Sequence, residues 1–204
     1  KALLALHQTA GIGRRGRDWW HGEGNLALSV AFHLEGGLDS VALLPFVAGI
    51  ALFDTIYVGA KEDLRLKWPN DLYLNGRKLA GMISQARQSA GGADVVLGIG
   101  VNLKSAPPGE PAIALSEVGP APDPVGFAEN FLANFRRRLA STKGFDQLKA
   151  DWESGARLSD SLYSIVGEEG EWSAVALLPS GELEVERMGE KRKLSSETVS
   201  LRFS

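Results

Sequence analysis

The chain is organised around the stretch Gln8-Thr9-Ala10-Gly11-Ile12-Gly13-Arg14-Arg15-Gly16-Arg17-Asp18-Trp19-Trp20. Its glycines let the backbone adopt left-handed conformations and leave room for a ligand beside the main chain. Its arginines offer planar, permanently charged groups that suit phosphate and carboxylate. The stretch therefore reads either as a loop that folds over an anion or as a flexible basic surface loop. Its spacing matches neither a Walker A loop nor a dinucleotide fingerprint.

The composition limits what such a loop can bind. The chain has 204 residues, 44% of them hydrophobic, and a net charge of −3. A basic loop on a mildly acidic body favours a small anionic ligand, so we expect no nucleic-acid partner. The absence of cysteine excludes disulfides, a thiol nucleophile and cysteine metal sites, and we expect no protein metal site. Without a long apolar run or a signal peptide, we expect a cytoplasmic protein with no membrane partner.

A second stretch, Gly98-Ile99-Gly100-Val101-Asn102, reads as a strand with a bare face. Side chains alternate along a strand, so both glycines and Asn102 lie on one side. Two glycines there permit close approach of a ligand, or equally of a packed helix. Asn102 would offer hydrogen-bond donors and an acceptor at the end of that patch.

A third stretch surrounds the turn Asn75-Gly76, the strongest short hairpin signal. A two-residue turn pairs Leu74 with Arg77, Tyr73 with Lys78, Leu72 with Leu79 and Asp71 with Ala80. Lys78 and Asp71 then lie diagonally on one face, which suits a lysine held rigidly against a phosphate. The alternative is a solvated hairpin lysine.

The remaining pattern predicts an α+β protein in which strands alternate with helices. We expect a buried strand at Ala2–Leu6, and a helix after Gly36-Gly37, capped by Asp39 or Ser40. Polar loops are expected at Arg87–Asp94 and Lys104–Pro122, and Arg136–Arg138 should form a solvated helix end. Further strands are predicted at Leu26–Phe32 and Leu64–Trp68, and helices after Asp123-Pro124 and over Phe145–Trp152. A meander of short strands follows, at Leu162–Val166, Trp172–Leu178, Leu183–Arg187, Lys191–Leu194 and Val199–Phe203, which predicts a small β-barrel.

Three motifs in this order resemble the biotin protein ligases. They are Gln8–Trp19, then Lys67-Trp68-Pro69-Asn70-Asp71 with Arg77-Lys78-Leu79-Ala80-Gly81, then Gly98–Asn102. The resemblance spans most of the chain and is loosest after about Asp160. It implies a mixed β-sheet with packed helices, the fold shared with class II aminoacyl-tRNA synthetases. It divides the chain into a catalytic domain, residues 1–158, and a C-terminal SH3-like β-barrel, residues 159–204.

The resemblance also assigns roles to the matching positions. Lys78 and Arg14 would be catalytic, Lys78 against biotin and phosphate and Arg14 restraining the adenylate. The biotin-binding set is Gln8, Thr9, Gly11, Arg14, Lys78, Gly81, Gly98 and Gly100. The nucleotide-binding set is Arg17, Trp19, Asn70, Asp71 and Asn102, with Trp19 able to stack on adenine.

The implied reaction is an ATP-dependent ligation in two steps, with magnesium accompanying the ATP. Biotin and ATP form biotinyl-5'-AMP, and a lysine of the biotin carboxyl carrier protein of acetyl-CoA carboxylase then accepts the biotin. The family has a strand, a helix and a Ser-Thr-Asn motif ahead of the position of Lys1, so we expect residues to precede it. A homodimer formed through sheet edges is expected by analogy.

The sequence leaves several alternatives open. Ile12 stands where the family commonly has arginine, which removes a charge beside Arg14 and leaves open a binding module without catalysis. A lipoate or octanoate ligase would share the fold and the adenylation chemistry. A biotin-dependent repressor would need a DNA-binding winged helix, and this sequence contains none.

Overall fold

A six-stranded sheet forms the larger part of the computed structural model, which describes residues 1–35, 38–56, 59–196 and 201–203. Its strands are β1 (Ala2–Leu4), β2 (Leu26–Glu35), β3 (Leu64–Lys67), β4 (Asp71–Leu74), β5 (Arg77–Ser89) and β6 (Gly92–Val101). Their order is β1-β2-β6-β5-β4-β3, and every ladder in it is antiparallel. The prediction of a mixed sheet is therefore wrong, because short turns join most neighbouring strands and antiparallel pairing needs no crossover.

Three helices cover one face of this sheet: α1 (Leu44–Thr55), α2 (Pro124–Ser141) and α3 (Phe145–Ala156). The predicted Asp123 cap is confirmed, since its carboxylate accepts a hydrogen bond from Gly126 N at 2.8 Å. The cap predicted for α1 at Asp39 or Ser40 is wrong, because a 3-10 segment, Leu38–Leu43, precedes the helix. The Gly36-Gly37 break lies outside the described residues. No helix among the described residues is long and apolar enough to cross a membrane.

The prediction that the arginines at the end of α2 are solvated is confirmed for Arg136 and Arg137, which are exposed, but not for Arg138. Arg138 Nε lies 2.6 Å from an oxygen of Asp54 in α1, and Arg138 Nη1 lies 2.9 Å from an oxygen of Asp151 in α3. Hydrogen bonds and charge from Asp54 raise the pKa of Arg138, with Asp151 adding to the effect. A cation at the helix end therefore joins three helices instead of facing water alone.

Two expectations about the sheet are corrected. The first strand was expected to be buried, but β1 is an edge strand with Leu3 70% exposed. The polar stretch Arg87–Asp94 was expected to be a loop, but β5 continues to Ser89 and β6 begins at Gly92. Polar residues fit there because that end of the hairpin is largely exposed.

The predicted hairpin at Asn75-Gly76 forms, with a change of register. Leu74 pairs with Arg77 and Tyr73 with Lys78, as predicted, but Leu72 pairs with Ala80 and Asp71 with Gly81. Leu79 has no partner on β4 and is the extra residue of a β-bulge. On the other side of β5, its carbonyl accepts a hydrogen bond from Asn102 N at 3.0 Å. The extra residue bends β5 locally, just after Lys78.

The C-terminal strands form a second antiparallel sheet in the order β10-β9-β8-β7-β11. They are β7 (Leu162–Ile165), β8 (Glu171–Leu177), β9 (Leu183–Arg187), β10 (Glu190–Leu194) and β11 (Leu201–Phe203). The predicted meander is confirmed, apart from Val199 and Ser200, which lie outside the described residues. The order is open among the described strands, so closure into a barrel is not shown.

Candidate functional site

The Gly/Arg stretch folds as a tight hairpin laid on the sheet. Ile12 and Asp18 form an antiparallel bridge, and Trp19 N donates to Gly11 O at 2.9 Å. Within the turn, Gly13 N donates to the carbonyl of Arg17 at 2.7 Å. A side chain at Gly11 would collide with the carbonyl of Trp19, so glycine is required for this closure. The loop thus has a defined shape, and its last residue is delivered to the sheet surface.

A row of small residues crosses the sheet face opposite the helices. Ala27 pairs with Gly100, Gly100 with Gly81, and Gly81 with Asp71, on four neighbouring strands. The indole of Trp19 lies over this row, because a Cβ built at Gly100 would overlap its ring and one at Gly81 would lie 3.1 Å from it. The structure therefore brings Trp19, predicted on the nucleotide side, onto the surface predicted for biotin.

A lysine and a carboxylate meet beside Gly81. Lys78 Nζ lies 2.9 Å from Asp71 Oδ1 and 5.5 Å from the centre of a Trp19 ring. The Lys78 side chain is about one-third exposed and that of Asp71 is 16% exposed, so the pair is shielded on one side and open on the other. The predicted closeness of Lys78 and Asp71 is confirmed, and an ammonium group held in this way can face an anion arriving from solvent.

The backbone of Lys78 is fastened by a segment that sequence reasoning placed in an irregular loop. Lys78 N donates to Pro111 O at 3.0 Å, and Lys78 O accepts from Ile113 N at 2.9 Å. The buried Asn102 donates from its side chain to Ile113 O at 3.3 Å, so it braces that segment. Its nucleotide contact stays a prediction, since Nδ2 is already engaged in this structure.

Arg14 connects the loop to two other parts of the molecule. Its guanidinium donates to Asn70 Oδ1 at 3.1 Å, and Asn70 Nδ2 donates to Met82 O at 2.6 Å. Arg14 also donates to the carbonyl of Ser196, which accepts from Arg15 at 3.2 Å as well. The segment that follows β10 therefore reaches the ligand loop, so the C-terminal part of the chain contributes to this region.

The other predicted loop residues occupy different environments. Gln8 Oε1 is buried and has no hydrogen-bond partner among the described residues, whereas Thr9 and Arg17 are exposed. Ile12 is 66% exposed, so its side chain points away from the packed part of the loop. An unpartnered buried acceptor is costly unless a ligand supplies a donor. Gln8 is thus a credible ligand contact, and Ile12 is not part of the packed site.

Sequence reasoning missed two features beside this cluster, the buried Lys67 and the Pro111–Ile113 segment that holds the backbone of Lys78. Lys67 is buried, its Nζ donates to Tyr73 Oη at 3.2 Å, and it lies 4.6 Å from the centre of that ring. Burial, and next the charge of Asp71, raise the pKa of Tyr73 to about 12, so its hydroxyl stays protonated near neutral pH. The strand pairing of Lys67 with Asp71 could have indicated the first residue. Nothing in the Pro-rich stretch indicated the Pro111–Ile113 brace.

Comparison with known proteins supplies the family. The profile of the Biotin/lipoate A/B protein ligase family matches residues 1–102. The biotin–[acetyl-CoA-carboxylase] ligase of Paracoccus denitrificans is 38% identical over 179 residues, which cover 81% of this chain and 75% of that protein. The chain belongs to the biotin protein ligase family. The family predicted from the three motifs is confirmed, and it is an enzyme family of ligases.

Further relatives extend the match over the whole chain. The ligase of the same name from Mycobacterium tuberculosis is 33% identical over 161 residues, covering 74% of this chain and 59% of that protein. The biotin protein ligase of Aquifex aeolicus, solved in complex with biotin and ATP, superposes with a TM-score of 0.79 at 26% identity. That match covers 100% of this chain and 89% of the other, so the biotin protein ligase fold includes both sheets.

Proposed function

We propose that this chain is an ATP-dependent biotin ligase that biotinylates the biotin carboxyl carrier protein of acetyl-CoA carboxylase. The observation that carries the proposal is the position of Lys78, held 2.9 Å from Asp71 on a hairpin beside the small-residue row. This is a fixed positive charge at the edge of a surface that can receive a small ring. Relatives of the same family carry the corresponding name.

The first step joins two anions, so charge neutralisation is the main task of the protein. A carboxylate oxygen of biotin forms a bond to the α-phosphorus of ATP, and the bond from that phosphorus to the leaving pyrophosphate breaks. Lys78 would face the charge that develops on phosphate, and Asp71 would hold the lysine in place. Arg14, delivered by the loop next to Asn70, would restrain the product, biotinyl-5'-AMP.

The second step moves the acyl group to the acceptor protein. The amine of the acceptor lysine attacks the acyl carbon, a C–N bond forms, and the bond to AMP breaks. The lysine nitrogen loses a proton and AMP leaves with the bridging oxygen. Because the nucleophile belongs to the acceptor, this chain needs no nucleophile of its own, and its role is to hold the adenylate and exclude water.

Biotin suits the buried acceptor at Gln8. The ureido ring of biotin carries N–H donors on an otherwise apolar bicycle, and Gln8 Oε1 has no donor among the described residues. We assign Gln8, Gly11 and the Trp19 surface to the ring, and Asn70, Asp71 and Asn102 to the nucleotide side. Thr9 and Arg17 are proposed to join the site when ligand binds, since both are exposed here.

Magnesium is proposed to arrive with ATP rather than to reside on the protein. Among the described residues, no three His, Cys, Asp or Glu side chains are grouped as a metal site. Asp71, the carboxylate of the cluster, already pairs with Lys78. Magnesium is commonly held by substrate phosphates with few protein ligands, and that donor set fits this site. No step above is assigned to a protein-bound metal.

The wider organisation is proposed from the same resemblance. Residues 1–158 would form the catalytic domain and residues 159–204 an SH3-like barrel whose Ser196 carbonyl contacts the ligand loop. The exposed edge at β1 would be available for a homodimer. A cytoplasmic location remains a prediction.

The test is biotin-dependent exchange of labelled pyrophosphate into ATP, with lipoate and octanoate in parallel. Exchange with biotin alone is expected. Exchange with lipoate or octanoate would move the chain to the lipoate branch of its family. Biotin binding without exchange would indicate a binding module, and Ile12→Arg would then show whether the missing loop charge is responsible.

A further inference from the structure

The main chain of Lys78 is held on both sides, and one of its two neighbours is not a strand of the sheet. On one side Lys78 pairs with Tyr73 of β4. On the other side β6 has already ended at Val101, and the segment Pro111–Ile113 takes the next place along β5. Lys78 N donates to the first carbonyl of this segment, and Lys78 O accepts from its last amide. Two hydrogen bonds hold a segment weakly, so the contacts that keep it there determine how firmly the lysine is fixed.

A single carboxylate fastens this segment to the strand that carries Lys78. Glu117 accepts a hydrogen bond from Ala114 N at 2.9 Å with Oε1, and one from Arg77 Nη1 at 2.8 Å with Oε2. The same nitrogen of Arg77 donates to Ala112 O at 3.4 Å. The hydrogen bond from Ala114 N, with Arg77 adding to the effect, holds the pKa of Glu117 below its ordinary value. The carboxylate is therefore ionised near neutral pH and links β5 to both ends of the bridge.

Arg77 lies on the opposite side of the sheet from the proposed ligand. Arg77 and Lys78 are neighbours in β5, so their side chains project to opposite faces. Lys78 pairs with Tyr73 on the site face, whereas Arg77 pairs with Leu74, which is fully buried on the helix side. Any effect of Arg77 on the reaction therefore passes through the main chain that it shares with Lys78.

We propose that Arg77 and Glu117 are positioning residues for Lys78, which they fix by holding the Pro111–Ile113 segment beside its main chain. The importance of Lys78 rests on the proposed function, whereas the Arg77–Glu117 clamp rests on the hydrogen bonds alone. The two side chains are 43% and 40% exposed, and ion pairs of this kind contribute little to stability. A displacement of about 1 Å near a reacting group can nevertheless slow a reaction about 100-fold. The clamp should therefore affect the rate more than the folding.

The other edge of the segment is fixed independently of the clamp. Asn102 donates from its side chain to Ile113 O at 3.3 Å, and its own carbonyl accepts from Leu115 N at 3.0 Å. Ser116 N donates to Leu103 O at 3.0 Å. These bonds hold the segment against the end of β6. Loss of the clamp should therefore loosen the side that faces Lys78 without releasing the whole segment.

The first test measures biotin-dependent pyrophosphate release by Arg77→Ala and by Glu117→Gln. Both should lower kcat about tenfold and leave the KM for biotin and ATP within about twofold, because a displaced Lys78 loses transition-state stabilisation and not ground-state binding. Arg77→Lys keeps a charged donor for Glu117 and should restore part of the rate. Arg87→Ala is the matched control, since Arg87 lies on the same strand, is 85% exposed and pairs with Asp94 instead. It should leave kcat unchanged.

A double-mutant cycle with Lys78→Ala decides whether Arg77 acts through the lysine. Arg77→Ala should cause no further loss of rate when Lys78 is already alanine, because the group that it positions is gone. Additive losses would overturn the proposal, since Arg77 would then act on the reaction by another route. A normal kcat in Arg77→Ala, or a loss confined to the KM for ATP, would overturn it as well.

Amide hydrogen exchange without substrates tests the clamp by itself. The amides of Lys78 and Ile113 form the bridge, and both should exchange about tenfold faster in Arg77→Ala and Glu117→Gln but not in Arg87→Ala. Unchanged exchange at either amide would overturn the clamp. If the wild-type protein formed no biotinyl-5'-AMP, the proposed function would fail while this measurement still decided the clamp. Should one of the two variants fail to fold, the other serves in all three tests.

Discussion

The two faces of the six-stranded sheet are built from the same strands for opposite purposes. On the helix side, Leu28 pairs with Ile99 and Ile99 with Met82, and these side chains are 3%, 3% and 2% exposed. Next to these residues on the same three strands, but pointing to the site face, are Ala27, Gly100 and Gly81. Along three adjacent strands, residues with large side chains thus alternate with alanine or glycine.

This difference shows how a period of two can separate stability from chemistry. Burying large apolar side chains against α1–α3 supplies folding free energy. Omitting side chains on the other face gives the loop and the ligand access to a rigid backbone. Substitutions on one face should therefore change the free energy of unfolding, and substitutions on the other should change ligand binding or rate.

The largest expected effect lies on the site face. Lys78→Ala should lower the rate of biotinyl-5'-AMP formation by about 10²–10³-fold, the effect of removing one group that stabilises a developing charge. Its thermal unfolding should change little, because the Lys78–Asp71 pair is partly exposed and such pairs contribute little to stability. Single-turnover release of pyrophosphate measures the first quantity and calorimetry the second.

Lys104→Ala provides the control, since this lysine is exposed and lies outside the proposed ligand contacts. Pyrophosphate release by Lys78→Ala at a near-normal rate would remove the lysine from the mechanism. A large loss of stability with unchanged release would reverse the proposed difference between the two faces.

The helix side should respond in the opposite way. Ile99→Ala should lower the free energy of unfolding by about 3 kcal/mol, because it leaves a cavity in a closely packed core. Its biotin affinity should be unchanged at temperatures where the protein stays folded. Urea unfolding and calorimetric titration check the two statements.

Val96→Ala is the matched control on the same strand, because Val96 faces the other way and is 47% exposed. It should change the free energy of unfolding by no more than about 0.5 kcal/mol. Equal effects of the two substitutions would mean that the faces do not divide stability as proposed.

Sequence reasoning recovered the parts of this arrangement that depend on local signals. The alternation in Gly98–Asn102 located the bare face, and the Asn75-Gly76 turn located the Lys78–Asp71 pair. Side-chain period and turn geometry are properties of a few adjacent residues, so they can be read without the fold.

It failed where distant segments decide the structure. The bulge at Leu79 changes the register of a hairpin whose turn was read correctly, and the Pro111–Ile113 brace lies over thirty residues from Lys78. No local pattern indicated that the loop closes with the Trp19 ring on Gly81 and Gly100, and the nucleotide role of Trp19 stays a prediction. β1 was expected to be buried, yet strand order alone makes it an edge.

A smaller effect is expected where the loop meets the site face. Arg14→Gly removes the hydrogen bond to Asn70 Oδ1 and that to the Ser196 carbonyl. The adenylate should still form, but its dissociation should accelerate about tenfold, as expected for losing a charge-assisted hydrogen bond of about 1.5 kcal/mol. Chase experiments with labelled biotinyl-5'-AMP measure this rate.

Arg15→Gly is the comparison, because Arg15 also donates to the Ser196 carbonyl, whereas the hydrogen bond to Asn70 Oδ1 comes from Arg14. Its dissociation rate should rise less. If both variants retained the adenylate as well as the wild-type protein, the loop arginines would not restrain it.

The smallest effect concerns two tyrosines, one on each sheet. Burial raises the pKa of Tyr73 and of Tyr163 to about 12, with Asp71 adding to the effect at Tyr73. An unfolded tyrosine ionises near pH 10, so between about pH 10 and pH 12 the unfolded chain loses a proton that the native chain keeps. The stability linked to these hydroxyls is therefore complete below about pH 10 and is lost as the pH rises through about 12.

Urea unfolding across this pH range, with phenolate absorbance as the second readout, checks the prediction. Tyr73→Phe should remove part of the pH dependence and leave the part due to Tyr163. Tyr73 lies on the site face beside Lys67 and Asp71, whereas Tyr163 is fully buried in the second sheet. A native protein in which Tyr73 ionises near pH 10 while Tyr163 does not would show that the site face is wetter than its packing indicates. That result would sharpen the contrast between the open and the buried side of this molecule. Water would then reach the Tyr73 hydroxyl beside the buried Lys67, but not the hydroxyl of Tyr163.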